Sequence, residues 1–196
     1  MIKMFRTAVF MFFVLLTIST YAQQLTAFEV NNRWGYRDES GKTILPPVYL
    51  FAYDFNKSGT SAVFTDSGWV YINKKETALF SVLTFDNGPD YFSDGLSRFT
   101  EHGKVGYFNE SGRIVISPLF DFAFPFENGS ALVCDECVKI QDGEHYFLRG
   151  GNWMKIDTTG TVIRKLSSEE SENINAAPVM LNGKLIWIDQ TGQRIK

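Results

Sequence analysis

Arg33-Trp34-Gly35-Tyr36-Arg37-Asp38-Glu39-Ser40-Gly41 returns four more times along the chain in altered form. The later copies begin Gly68-Trp69-Val70-Tyr71-Ile72-Asn73, Lys104-Val105-Gly106-Tyr107-Phe108-Asn109, Asn152-Trp153-Met154-Lys155-Ile156-Asp157 and Lys184-Leu185-Ile186-Trp187-Ile188-Asp189. Their second column reads Trp, Trp, Val, Trp, Leu, and their last is always Asp or Asn. Three residues further stand Gly41, Glu76, Gly112, Gly160 and Gly192, so only the second copy lacks glycine there. In-phase matches of this kind mark a tandem repeat of a short structural unit.

The spacing has a mechanical cause. An Asp or Asn opening a turn caps the backbone with its side chain, and Gly at the fourth position supplies a positive φ at low steric cost. Together they give a type I turn closed by a glycine bulge, which joins two antiparallel strands. Glu76 must accept a strained conformation or force a different loop. Before each aromatic strand comes a second turn, Asn31-Asn32, Ser67-Gly68, His102-Gly103 or Asn182-Gly183. Ahead of these turns run further candidate strands at 28–30, 61–65, 96–100, 130–134 and 177–181. The unit is thus a three-strand meander, and the fold class is all-β: five tandem meanders in a propeller-like or solenoid array.

Between units lie aromatic links holding Tyr49, Phe51, Tyr53 and Phe55; Phe85, Tyr91 and Phe92; and Phe120, Phe122, Phe124 and Phe126. Alternation in the first and third predicts one greasy face per link. The fourth link, 167–175, is acidic and Ser-rich and reads as a solvated loop. The step from Val105 to Trp153 is the longest between copies. It makes room for an inserted hairpin near 138–147, turning at Asp142-Gly143.

Trp34-Gly35-Tyr36 and Val105-Gly106-Tyr107, each followed by the Asp/Asn-x-x-Gly turn, resemble the bacterial WG-repeat (KWG-type) proteins. So does Asn175-Ala176-Ala177-Pro178-Val179 running into Asn182-Gly183-Lys184. The likeness covers nearly all of 27–196, closely in copies one and three and partly elsewhere, where the WG dipeptide is lost. It implies a tandem β-repeat architecture in an often envelope-associated protein, and it carries over no catalytic residues.

The N-terminus supplies the second strand of the reading. Lys3 and Arg6 precede an apolar stretch from Ala8 to Ile18, and Thr20-Tyr21-Ala22 offers small residues where a signal peptidase reads. This order predicts a signal peptide over 1–22, leaving 23–196 as the repeat domain. No Cys follows the cleavage point, so a lipid-modified N-terminus is not indicated, and no later stretch is apolar enough to span a bilayer. The expected location is exported: periplasmic, outer-membrane-associated or extracellular. With 22 acidic residues against 19 basic ones, the surface does not suit nucleic acid, whose phosphates want a basic patch.

Few residues suggest chemistry. Cys134-Asp135-Glu136-Cys137 is the only cysteine pair. In an oxidising compartment it reads as a short disulfide or as inert thiols. A redox motif would need a helix starting at the first cysteine, and a zinc site would need more partners than His102 and His145. Carboxylates invite comparison with a glycosidase pair, but Asp38, Asp157 and Asp189 are turn residues, and Asp54, Asp86 and Asp121 sit in the links. No nucleophile elbow, HExxH helix or phosphate loop is present. No cofactor is expected and the chain reads as a non-enzyme.

Trp34, Trp69, Trp153 and Trp187 recur at equivalent or near-equivalent positions, which core packing explains more simply than sugar stacking. The inserted hairpin adds Lys139, His145, Tyr146 and Phe147 where the array has no obvious need of them. His145, Tyr146 and Phe147 are therefore the candidate binding residues, for an envelope protein or glycan. The leading function is an exported binding or structural module of the bacterial envelope. The rival is a carbohydrate-active enzyme or its accessory module.

Overall fold

In the computed structural model, residues 24–85, 88–142, 145–174, 177–181 and 184–188 are described, with only the backbone at 85, 141–142, 145–147, 172–173, 177–181 and 184–188. The expected signal segment 1–22 and the turn residues Asn182, Gly183, Asp189 and Gly192 lie outside them.

The chain folds as the meander spacing requires. Unit one is β1 (Thr26–Val30), β2 (Arg33–Arg37) and β3 (Thr43–Tyr49), followed by the link strand β4 (Phe51–Ala52). Unit two is β5 (Thr60–Thr65), β6 (Gly68–Asn73) and β7 (Ala78–Val82), and its link holds β8 (Thr84–Phe85) and β9 (Gly88–Pro89). Unit three is β10 (Leu96–Glu101), β11 (Lys104–Asn109) and β12 (Ile114–Phe120), with link strand β13 (Phe122–Ala123). Unit four opens with β14 (Ser130–Asp135), is interrupted by β15 (Val138–Asp142) and β16 (His145–Arg149), and resumes with β17 (Asn152–Asp157) and β18 (Val162–Lys165). After α1 (Ser168–Ile174), unit five shows β19 (Ala177–Leu181) and β20 (Lys184–Ile188). Every paired strand is antiparallel. Units two and three share one sheet, because β7 pairs with β10 through Val82 and Phe99.

The four described Asp/Asn turns are alike. Gly41, Glu76, Gly112 and Gly160 each donate their backbone N–H to the carbonyl of Asp38, Asn73, Asn109 or Asp157 at 2.8–3.0 Å. The side-chain oxygen of the opening residue accepts from the N–H two and four residues on, as in Asp157 with Thr159 and Thr161 at 2.9 Å each. Hydrogen bonding from the neighbouring Ser40 or Thr159 holds the Asp38 and Asp157 carboxyls below the usual range. Gly112 sits at φ +75° and Gly160 at +87°, and Glu76 takes the strained option at +59°. A Cβ on Gly41 would meet nothing within 4 Å, whereas one on Gly112 would lie 2.5 Å from Leu79 Cδ1. Gly41→Ala should therefore cost on the order of 1 kcal/mol from φ alone, and Gly112→Ala should cost more. Equal unfolding midpoints for the wild type and both variants would refute the turn assignment.

The cores lie between units, since each unit is too small to bury a face alone. Tyr36, Leu45, Tyr49, Ala52, Phe55, Val63 and Ile72 join units one and two. Their counterparts Tyr107, Ile116, Phe120, Ala123, Phe126, Val133 and Ile156 join units three and four. The hydroxyls of Tyr36 and Tyr107 each donate to the carbonyl 17 residues ahead, Tyr53 at 2.7 Å and Phe124 at 2.6 Å. Burial pushes the Tyr36 phenol up to about 12, so it remains a donor. The structural period is therefore a pair of units.

Two expectations change. The fourth link is a helix rather than a loop. Ser167 accepts from the Glu170 N–H at 3.2 Å while Glu170 accepts from the Ser167 N–H at 2.8 Å. This reciprocal capping box starts the helix, and Arg164 adds an ion pair to Glu170 at 2.6 Å. These hydrogen bonds, the Ser167 N–H foremost, draw the Glu170 carboxyl down to about 2. The first and third links also do not keep one greasy face. In the first, Tyr49, Ala52 and Phe55 face the core while Phe51 and Tyr53 point out, because the strand there lasts only two residues and the chain turns. In the third, all four phenylalanines are buried.

Candidate binding surface

The inserted hairpin is real. β15 and β16 pair in register from Val138↔Arg149 to Asp142↔His145, extending the turn between β14 and β17. The side chains of His145, Tyr146 and Phe147 lie outside the described residues. What the hairpin covers is clear. Cys137 and Leu148 are buried against Phe122, Phe124, Cys134 and Trp153, with Leu166 and Ile174 packed on the margin. The insertion is thus packed against the array rather than standing clear of it, with Leu148 and the adjoining Cys137 laid over an aromatic cluster.

At its base, Lys104 Nζ bridges Asp121 at 2.8 Å and Asp135 at 3.2 Å. Asp121 also accepts the Glu136 N–H at 2.6 Å, and Asn152 donates to Glu136 at 2.9 Å. These contacts hold the Lys104 ammonium pKa above, and the Asp121 carboxyl pKa below, their usual values. They pin the entrance of the insertion to the third link. Cys134 and Cys137 lie sulfur to sulfur with Cα atoms 6.0 Å apart, a separation that a disulfide spans. β14 runs through Cys134 as strand, so no helix starts there to activate a thiol. Among the described residues no three His, Cys, Asp or Glu side chains gather as metal ligands would. The intact mass of the chain purified without reductant should fall two hydrogens below the reduced form. Free thiols with stoichiometric zinc would reverse that reading.

Among the described residues, no inserted hairpin lies over the equivalent surface on the first pair of units. Pairing registers match the two sites residue for residue: Phe51 opposes Phe64 and Phe64 opposes Trp69, as Phe122 opposes Cys134 and Cys134 opposes Trp153. Trp69 and Trp153 are buried in both, as core packing predicts, while Trp34 is half-buried. The remaining rings differ. Phe51 is 38% exposed against 7% for Phe122, Tyr53 48% against 7% for Phe124, and Phe64 36% against 0% for Cys134. Phe51 lies at the centre, 5.1 Å from Trp34, 5.1 Å from Tyr53 and 6.0 Å from Trp69 by ring centroids. Phe64 and Tyr53 flank Trp69 at 5.1 and 5.6 Å. Val48 and Leu50, in the same stretch, are exposed as well. A contiguous apolar surface of this kind is uncommon on a free-standing monomer and marks contact sites. The sequence held its signal: one of two equivalent turns carries an insertion, and the other, 65–68, is tight.

Residues 34–69 and 106–136 match the family of WG containing repeats. Each matched stretch starts in the aromatic strand of an odd-numbered unit and ends near the first hairpin turn of the next. Over these two stretches, about a third of the chain, the sequence is similar to WG-containing repeats, with Trp34-Gly35 at the head of the first and Gly106 at the head of the second. No curated protein matches the chain.

Proposed function

We propose that this WG-repeat chain is an exported, non-catalytic binding module of the bacterial envelope, and that Phe51, Tyr53 and Phe64 form its contact surface. The observation that carries the reading is the exposed cluster itself, set beside an equivalent cluster that the chain covers with its own residues. Export is supported by the charged, apolar and small-residue order of 1–22. The non-catalytic reading is supported by the carboxylates, since Asp38 and Asp157 close turns and Asp54 accepts the Ala27 N–H at 2.8 Å. The partner is an envelope protein or a glycan. Exposed rings also suit an accessory module of a carbohydrate-active enzyme, the second reading.

The test is capture from a detergent-solubilised envelope fraction by the mature chain and by Phe51→Ser/Tyr53→Ser. Both rings are partly exposed but also pack on Trp34 and Trp69, so the melting temperature should fall by several degrees with a cooperative transition retained, while capture should drop sharply, because a few large side chains dominate such contacts. Equal capture by both proteins would refute the surface. The mature N-terminus should be Gln23 or its cyclised form, and an intact Met1 would refute export by this signal.

A further inference from the structure

Resting on that reading, we infer that the occupant of the exposed cluster is an extended apolar segment of a partner protein, a β-hairpin or strand with an aliphatic side chain directed at Phe51 and Tyr53. The chain shows what fits. On the equivalent cluster, the covering side chains are Cys137 and Leu148, delivered by the inserted hairpin. The two clusters share register, ring positions and a buried tryptophan, so a cover that suits one has the shape to suit the other. The exposed cluster differs in three places, Phe64 for Cys134, Tyr53 for Phe124 and Trp34 for Val105. All three enlarge or moisten the rim without removing the apolar floor.

The geometry disfavours a sugar. A stacked pyranose needs a flat exposed ring face with polar groups around it. Here the rings interlock, Trp34 and Phe51 tilted by 45°, Phe51 and Tyr53 by 75°, and Phe51 and Trp69 by 74°. Side-chain pockets that read an extended peptide are the matching recognition mode.

The probe is a synthetic peptide of residues 136–151 with Cys137→Ser, titrated into the full mature chain up to about 1 mM and followed by tryptophan fluorescence. Saturable binding is expected, weakened roughly tenfold or more by Phe51→Ser/Tyr53→Ser, with no response to a scrambled peptide. Two further arms use cello- and chito-oligosaccharides and sedimentation equilibrium of the chain alone. An oligosaccharide response lost in the variant, without peptide binding, would overturn the protein occupant and leave the binding surface standing. A dimer dissolved by the variant would assign the cover to a second copy and also overturn it. No response to any probe overturns the inference. If envelope capture is equal as well, the surface itself fails.

Discussion

Asp90→Ala should destabilise the protein by about 3–5 kcal/mol, the cost of leaving a buried charge unpaired. Asp90 accepts from Arg98 at three points: the backbone N–H at 3.0 Å, Nε at 2.8 Å and an Nη at 2.7 Å. The other Nη of Arg98 donates to the Ala123 carbonyl at 2.9 Å. Both side chains are almost fully buried. One ion pair thus ties the second link, the first strand of unit three and the third link together. Burial works against the Arg98 charge, but the hydrogen bonds and charge of Asp90 more than offset it and raise its pKa. Removing the carboxylate strands that guanidinium in the interior. Asp90→Ala/Arg98→Leu should recover part of the loss, since an apolar pair often replaces a buried ion pair at little cost. Urea unfolding measures both. A loss below about 1 kcal/mol for the single variant would mean that water reaches the pair.

Gly106→Ala is the second large effect, at about 1–3 kcal/mol or more. A Cβ there would lie 2.6 Å from the Ile116 carbonyl oxygen, 2.7 Å from the Phe99 ring and 2.8 Å from the Pro118 nitrogen. Gly35 faces the same obstruction from Leu45, Pro46 and Pro47, all backbone. The cause is a bulge in the partner strand. Trp34 opposes Tyr49 while Tyr36 opposes Leu45, and Val105 opposes Phe120 while Tyr107 opposes Ile116. Proline cannot donate to the ladder and sits at sheet edges and bulges, which is where β3 and β12 place it. The bulged backbone presses into the aromatic strand, and only glycine leaves room. In unit two, Val70 fills the same column because β7 runs there without a bulge, Val70 facing Ser81 and Tyr71 facing Phe80. The glycine of the aromatic strand and the proline of the bulged strand beside it are therefore one device. If Gly106→Ala unfolds at the same urea concentration as Gly41→Ala, the backbone obstruction is not real.

Much of this was legible in the residues. The Asp/Asn-x-x-Gly turns, the tight turns before each aromatic strand and the Asp142-Gly143 hairpin placed most strands within a residue or two. Such turn chemistry is local, and local rules read well from sequence. What escaped was set by contacts distant in the chain. The two faces of 49–55 depend on a kink after a two-residue strand, which alternation does not reveal. The burial of Phe122 and Phe124 depends on an insertion folding back over them. Asp90 and Arg98 carry no motif, and their pairing appears only once link and strand are side by side. The helix at 168–174 was available in Ser167-x-x-Glu170, but the acidic, serine-rich composition argued louder than the capping box. For the site, the hairpin marks the covered cluster, and its absence from unit two marks the open one on which the proposal rests; the side chains of His145, Tyr146 and Phe147 lie outside the described residues.

Hydroxyl-radical footprinting of the mature chain tests the central claim most directly, first alone and then with solubilised envelope fraction. Alone, Phe51, Tyr53 and Phe64 should oxidise readily while Phe122, Phe124 and Trp153 stay protected. With the envelope fraction added, the first three should become protected and exposed residues elsewhere, such as Leu119, should not. Phe51 and Tyr53 protected in the isolated chain, or unchanged by the envelope fraction, would contradict the account.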